Sequence, residues 1–196
     1  MGTSRMMTFS DAVLAIIITI MVLELKPPQG VSMDALTPLA PMFLSYVLSF
    51  AYIGIYWNNH HHLLHAGGTV TALVLWTNLH LLFWLSLLPF ATSWMGEHEF
   101  APVPTALYGA VLCAAAVAYL GLQQAIIRSQ GAGSRLKAAI GADWKGKVSL
   151  SLYLAGIATA FLRPWLGQIA FAAGAMLWLV PDRRLEHSMA GSAQAT

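Results

Sequence analysis

Residues 35–96 contain no Asp, Glu, Lys or Arg, a run of 62 residues, and residues 100–127 contain none either. Crossing about 30 Å of hydrocarbon takes roughly 20 apolar residues. The first run is therefore long enough for two membrane spans and the second for one. The middle of the first run, Asn58-Asn59-His60-His61-His62-Leu63-Leu64-His65-Ala66-Gly67-Gly68, is polar and Gly-rich, which predicts a turn there. Charged residues make up 9% of the chain and hydrophobic residues 58%, against about 25% charged in an average soluble domain. So few charges cannot coat a water-facing globule of this size. The composition excludes a soluble domain, a disordered chain and a nucleic-acid binder built on a basic surface, and leaves a polytopic membrane protein. The net charge of +2 points to no partner. The lone Cys113 cannot form an intrachain disulfide and reads as a small core residue.

The expected architecture is all-α: one membrane domain over residues 1–196, with six transmembrane helices at about 5–25, 36–65, 70–94, 104–128, 145–162 and 164–181. The uncharged, mostly apolar core of the first helix is only 12 residues, 12–23, with Thr19 its one polar member, the length of a signal-peptide core. Glu24-Leu25-Lys26-Pro27-Pro28 follows it in place of a small-residue cleavage site, so it reads as a span with polar ends. Pro89 predicts a kink, and Arg163-Pro164 a tight turn between the last two helices. With both termini cytoplasmic, the inner segments hold Arg5, Arg128, Arg135, Lys137, Lys145, Lys147, Arg183 and Arg184. The outer segments hold only Lys26 and Arg163, as the positive-inside rule requires. Trp57, Trp94, Trp144, Trp165 and Trp178 fall near span ends, where an aromatic belt is expected; Trp76 and Trp84 lie deeper and are expected to pack in the bundle. The basic loop 129–147 reads as a positive-inside loop, with contact to lipid headgroups as the alternative. The tail after Arg184 is expected to fray. Ala106, Ala110, Ala114 and Ala118, at four-residue steps, predict a face for close helix packing.

Chemistry concentrates on the first helix. Ser10 and Asp11 stand at its cytoplasmic end, either as helix caps or, if the helix begins one to two turns earlier, as a hydrogen-bonded node between helices. Ile16, Ile20 and Leu23 recur at spacings of four and three and share one face. Such a stripe faces lipid or bundle, or forms apolar rings around a symmetry axis, which gate ions by dewetting a narrow passage. Thr19 lies close to that face and either bonds its own backbone or faces a file of water. Asn78, His80 and Gln123 are further polar groups within apolar sequence. His61 and His65 are spaced i, i+4, as two metal ligands can be, but no His-Glu-x-x-His pattern and no nearby carboxylate supports a metal site. There is no Gly-x-Ser-x-Gly, no P-loop and no carboxylate pair within a span, so no enzyme is expected. No filter sequence of the Thr-Val-Gly-Tyr-Gly type occurs either.

Arg5-x-x-x-Phe9-Ser10-Asp11-Ala12, followed by Ile- and Thr-rich apolar sequence, resembles the signature of the endosomal/lysosomal transmembrane potassium channel family, in the form of its single-unit prokaryotic homologues. Trp57-x-x-His60-His61, Asn78 with Leu88-Pro89-Phe90-x-Thr92, and Pro181-Asp182-Arg183-Arg184 extend the resemblance over most of the chain. His62 stands where many relatives carry Arg. The resemblance implies a potassium-permeable cation channel of the cell membrane, a homotetramer whose first helices line one central pore. Potassium is then the permeant ion, no cofactor is required, membrane lipid surrounds the assembly and nucleic acid plays no part. It implies a hydrophobic gate at Ile16, further rungs at Ile20 and Leu23, and a pore-facing Thr19. It also implies a structural network of Arg5, Phe9, Ser10 and Asp11 with Trp57, Asn78 and His60 or His61. Glu24 and Asp34 would concentrate cations at the outer mouth. The rival expectation is a proton-coupled transporter of ions or small solutes that uses Asp11 and the cluster His60-His61-His62 as a relay.

Overall fold

In a computed structural model the protein is described over residues 2–67, 69–141 and 143–179, and all regular structure among these is helical. The expected C-terminal segment Pro181-Asp182-Arg183-Arg184 and the tail lie outside the described residues. Helix α1 runs Thr3–Leu23, α2 Ala40–His65, α3 Ala72–Ser86, α4 Leu88–Glu97, α5 Pro102–Gln130, α6 Arg135–Ile140, α7 Trp144–Ala160 and α8 Pro164–Leu179. A 3-10 segment, Met33–Leu39, leads into α2, and a shorter one, Gly131–Gly133, follows α5.

Among the described residues, four stretches are long and apolar enough to cross a membrane: Thr3–Leu23, Met33–His65, Ala72–Glu97 and Pro102–Gln130. The third comprises α3 and α4 together. Pro89 stands in the first turn of α4 and has no N–H to return to the preceding turn, so the helix breaks at Leu87, the C-cap of α3 and the N-cap of α4. At 17 and 16 residues, α7 and α8 are about 25 Å long at 1.5 Å per residue. They are joined by a turn at Phe161–Arg163, where the Arg163 N–H reaches Thr159 O.

The helices are knitted together by packing and by satisfied polar groups. Phe171 on α8 is fully buried and sits in a hollow left by two glycines. A Cβ at Gly109 would stand 2.5 Å from its ring and one at Gly156 2.4 Å. No side chain fits at either position without displacing Phe171, so α5, α7 and α8 approach closely there. Tyr52 on α2 donates to Phe171 O. Ser49 on α2 bonds Thr92 on α4 (2.7 Å) and donates to the Tyr108 hydroxyl on α5 (3.1 Å). These groups carry their partners within the bundle, as a low-dielectric interior requires.

Two expectations about faces need correction. On α5 the buried face is Tyr108, Val111, Leu112, Ala115, Ala118 and Leu122, whereas Ala106 and Ala114 are half-buried and Ala110 is exposed. Ala118 is therefore the one member of the alanine stripe on the buried face, which otherwise lies to one side of the stripe and carries Tyr108, Val111, Leu112, Ala115 and Leu122. Trp76, expected in the bundle, is 72% exposed, because α3 buries Val74, Asn78, Leu81, Leu82 and Leu85 and Trp76 projects from another side. Trp84 is half-buried and donates to His80 Nε2. Within the basic loop, Leu136 is buried and Lys137 and Lys147 are exposed.

Gly156→Val forces Phe171 out of its hollow. The expected cost is about 1–3 kcal/mol, the usual range for overpacking. Thermal denaturation of the detergent-purified protein, followed by size-exclusion fluorescence, should show a lower midpoint for Gly156→Val and a near-normal one for Gly121→Ala, where the added carbon meets nothing within 4 Å.

Candidate functional site: a polar node that sets the first helix

Helix α1 begins at Thr3 after Gly2, two turns before Ser10. Neither Ser10 nor Asp11 caps it. Its buried residues are Met6, Ser10, Leu14, Ile17 and Met21, spaced four, four, three and four, which is one helical face. Ser10 is the polar member, and it is fully buried.

Ser10 ends a directed hydrogen-bond chain. His60 on α2 lies 2.6 Å from Asn78 Oδ1 on α3 through Nε2. The acceptor is a carbonyl oxygen, so Nε2 carries the proton and donates. Asn78 Nδ2 donates to Ser10 Oγ at 3.0 Å, and Ser10 Oγ donates to Met6 O at 2.9 Å within its own helix. His60 and Asn78 are each 2% exposed. Three helices thus meet at side chains whose hydrogen-bonding groups are matched in sequence, donor to acceptor. A misrotated α1 would leave the Asn78 amide unpaired, at a cost of about 1–3 kcal/mol.

A second contact reinforces the first one residue further on. Trp57 Nε1 donates to Asp11 Oδ1 at 3.1 Å; Trp57 is 49% exposed and Asp11 half-buried. His61 is half-buried and meets His65 edge to face, with ring centroids 4.4 Å apart, outside the node. His60 is therefore the histidine that meets Asn78. Arg5 is exposed and Phe9 is 49% exposed, both outside the node. Among the described residues, no group of three or more His, Cys, Asp or Glu is placed to hold a metal ion.

The rotation so fixed decides what the rest of α1 presents. Ile16 and Ile20 precede the buried Ile17 and Met21 by one residue, about 100° around the helix. Ile16 is 56% exposed, Ile20 42% and Leu23 78%. This apolar stripe has no partner within the described chain over much of its surface. Thr19 is exposed and donates to Ile16 O at 2.9 Å. Beside the stripe runs an open groove of about 680 Å³, floored by α1 and walled by α4, with Ile16, Ile20, Phe90 and Trp94 along it and Glu24 and Glu97 at one end. Glu24, the C-cap of α1, accepts from Ser93 Oγ at 3.2 Å. Asp34 is exposed at the start of the 3-10 segment and does not line the groove. Sequence reasoning missed Glu97 and Ser93. The available signal was that Glu97 is the first charge after the 62-residue uncharged run.

Residues 5–89 match the family model for the endosomal/lysosomal potassium channel TMEM175. A potassium channel of Chryseobacterium sp. (strain P1-3) is 51% identical over 189 residues, 96% of this chain and 98% of that protein. The chain belongs to the TMEM175 family. The structure of a lysosomal potassium-selective channel TMEM175 homologue from Chamaesiphon minutus matches with a TM-score of 0.80 at 27% identity, covering 91% of this chain and 96% of that one. The endosomal/lysosomal proton channel TMEM175 of Mus musculus is 30% identical over 64% of this chain, which corresponds to only 25% of that longer protein. These relatives are ion channels, not enzymes.

Asn78→Leu removes the centre of the node and leaves the His60 N–H and Ser10 hydroxyl without their interhelical partner. The expected loss is about 1–2 kcal/mol. Ser10→Ala removes one acceptor and should cost less. Denaturation in mixed micelles should rank wild type above Ser10→Ala above Asn78→Leu; equal stability of all three would remove the node from the account.

Proposed function

We propose that the chain is a potassium-permeable cation channel: one domain of six transmembrane helices, 5–25, 36–65, 70–94, 104–128, 145–162 and 164–181, with both termini cytoplasmic in the cell membrane. Four copies assemble around the first helix, and Ile16, Ile20 and Leu23 form successive apolar rings on the axis. The observation that carries this reading is the exposed stripe itself: Ile16 at 56% and Leu23 at 78% on a helix whose opposite side is held by buried polar contacts. One stripe cannot enclose a passage, so rotational symmetry supplies the other walls. Family membership and the Chryseobacterium and Chamaesiphon channels support the same reading.

In this mechanism the ring at Ile16 is the constriction. A narrow apolar passage is hard to wet, so an ion crosses it only when the rings separate far enough to keep part of its hydration shell. Thr19 sits on the helix between Ile16 and Ile20. Its hydroxyl hydrogen is engaged by Ile16 O, which leaves its oxygen lone pairs for a passing hydrated cation. Asp11 holds the inner end of the pore helix through Trp57, and Arg5 and Phe9 complete that inner end between subunits. Glu24 and Asp34 raise cation concentration outside. Permeant potassium is the only small ligand the mechanism needs.

Potassium flux into liposomes should be non-saturating for the wild type and should rise roughly threefold or more in Ile16→Ala, which widens the apolar ring. Flux that saturates, follows a proton gradient and ignores Ile16 would contradict the channel and favour a proton-coupled carrier using Asp11 and the histidines His60 to His62.

A further inference from the structure

The groove beside the Ile16–Ile20 stripe ends at two carboxylates from different helices, Glu24 at the end of α1 and Glu97 at the end of α4. They are treated differently by their surroundings. Glu24 accepts a hydrogen bond from a neutral hydroxyl, Ser93 Oγ. Glu97 faces an ammonium: Lys26 Nζ lies 3.2 Å from Glu97 Oε1. Lys26 is 77% exposed and Glu97 42% exposed at the side chain, so the pair stands in water and contributes little to holding the fold. Yet Lys26 is the one Lys or Arg of the stretch between Arg5 and Arg128. A lone lysine set against a groove carboxylate, in a segment otherwise without Lys or Arg, changes the local field more than the stability.

We propose that the Lys26–Glu97 pair sets the rate at which cations enter the channel from the Glu24 end, with Glu97 an attracting charge and Lys26 its built-in attenuator. The inference rests on the channel reading above. Glu24, Glu97 and Lys26 sum to one negative charge per protomer. Removing the lysine's charge makes it two, and removing the Glu97 charge makes it zero. With four protomers about one axis these differences multiply, and they act on ions still outside the apolar rings. Local cation concentration follows that potential and is screened by salt: the Debye length is about 30 Å at 0.01 M and about 3 Å at 1 M. An alternative role for the same pair is mechanical, a tie from the segment after α1 to the end of α4. The two roles predict different orders among charge variants.

The test is single-channel conductance of the full-length protein in planar bilayers at about 0.01 M and 1 M KCl, for wild type, Lys26→Gln, Glu97→Gln and the double exchange Lys26→Glu with Glu97→Lys. The proposal expects Lys26→Gln to raise low-salt conductance by about twofold and Glu97→Gln to lower it by about twofold, with the exchange near wild type and all four converging at high salt. Opposite effects of the two single variants are the signature. If both change conductance or open probability in the same direction and the exchange restores it, the pair is a tie and the proposal is overturned. Equal low-salt conductance in all four also overturns it. A wild type without potassium conductance, by contrast, would sink the channel reading itself, and a retained Ile16→Ala response keeps the two failures distinct.

Discussion

The hydrogen bond from Asn78 to Ser10 is the contact on which the rest depends. It joins residues 68 positions apart at a site closed to solvent, and it is continued by His60 on one side and by the Met6 carbonyl on the other. Apolar character alone does not fix how a helix is rotated in lipid, because acyl chains receive leucine or isoleucine from any side. A buried amide tolerates one arrangement, the one in which its donors and acceptors are met. Once Ser10 is turned toward α3, Leu14, Ile17 and Met21 follow it inward, and Ile16, Ile20 and Leu23 are left outward.

Stability and function are therefore separated along α1 by angle. The inward face carries the node and the tight contacts. The outward stripe carries branched aliphatic residues that the described chain leaves largely uncovered, flanked by a groove whose far end bears the carboxylates. A helix built this way can be held firmly by its own protomer while its exposed face remains available to meet copies of itself. The close-packed far side, where Phe171 fills the space left by Gly109 and Gly156, supplies the rigid backing.

Much of the helical framework was legible because it follows from length and covalent geometry. Uncharged runs mark where lipid can be crossed, and Pro89 and Pro164 mark where a helix must break or begin. Which side of a helix faces inward was less legible. In water, polar residues mark the outer face; in lipid both faces are apolar and the periodicity fades. Trp76 and the alanine series on α5 were misjudged for that reason. Spacing alone displayed the Ile16, Ile20 and Leu23 stripe but left open whether it was packing or lining. The meeting of Ser10, Asn78 and His60 was suggested by family resemblance, since no local pattern brings such distant residues together. Glu97 was overlooked because its neighbour Glu24 lies on another helix and only the fold unites them.

The central claim is that the node turns the Ile20 side of α1 toward copies of itself and the Ile17 side into its own protomer. Cysteine crosslinking in native membranes tests it directly. In a Cys113→Ala background, Ile20→Cys and Ile17→Cys are each treated with a short bifunctional thiol reagent. The account predicts inter-subunit bands for Ile20→Cys and none for Ile17→Cys, with the Ile20→Cys bands diminished when Asn78→Leu is added. Crosslinking through Ile17→Cys with none through Ile20→Cys would mean that the helix is turned the other way, and the stripe would not line a shared axis.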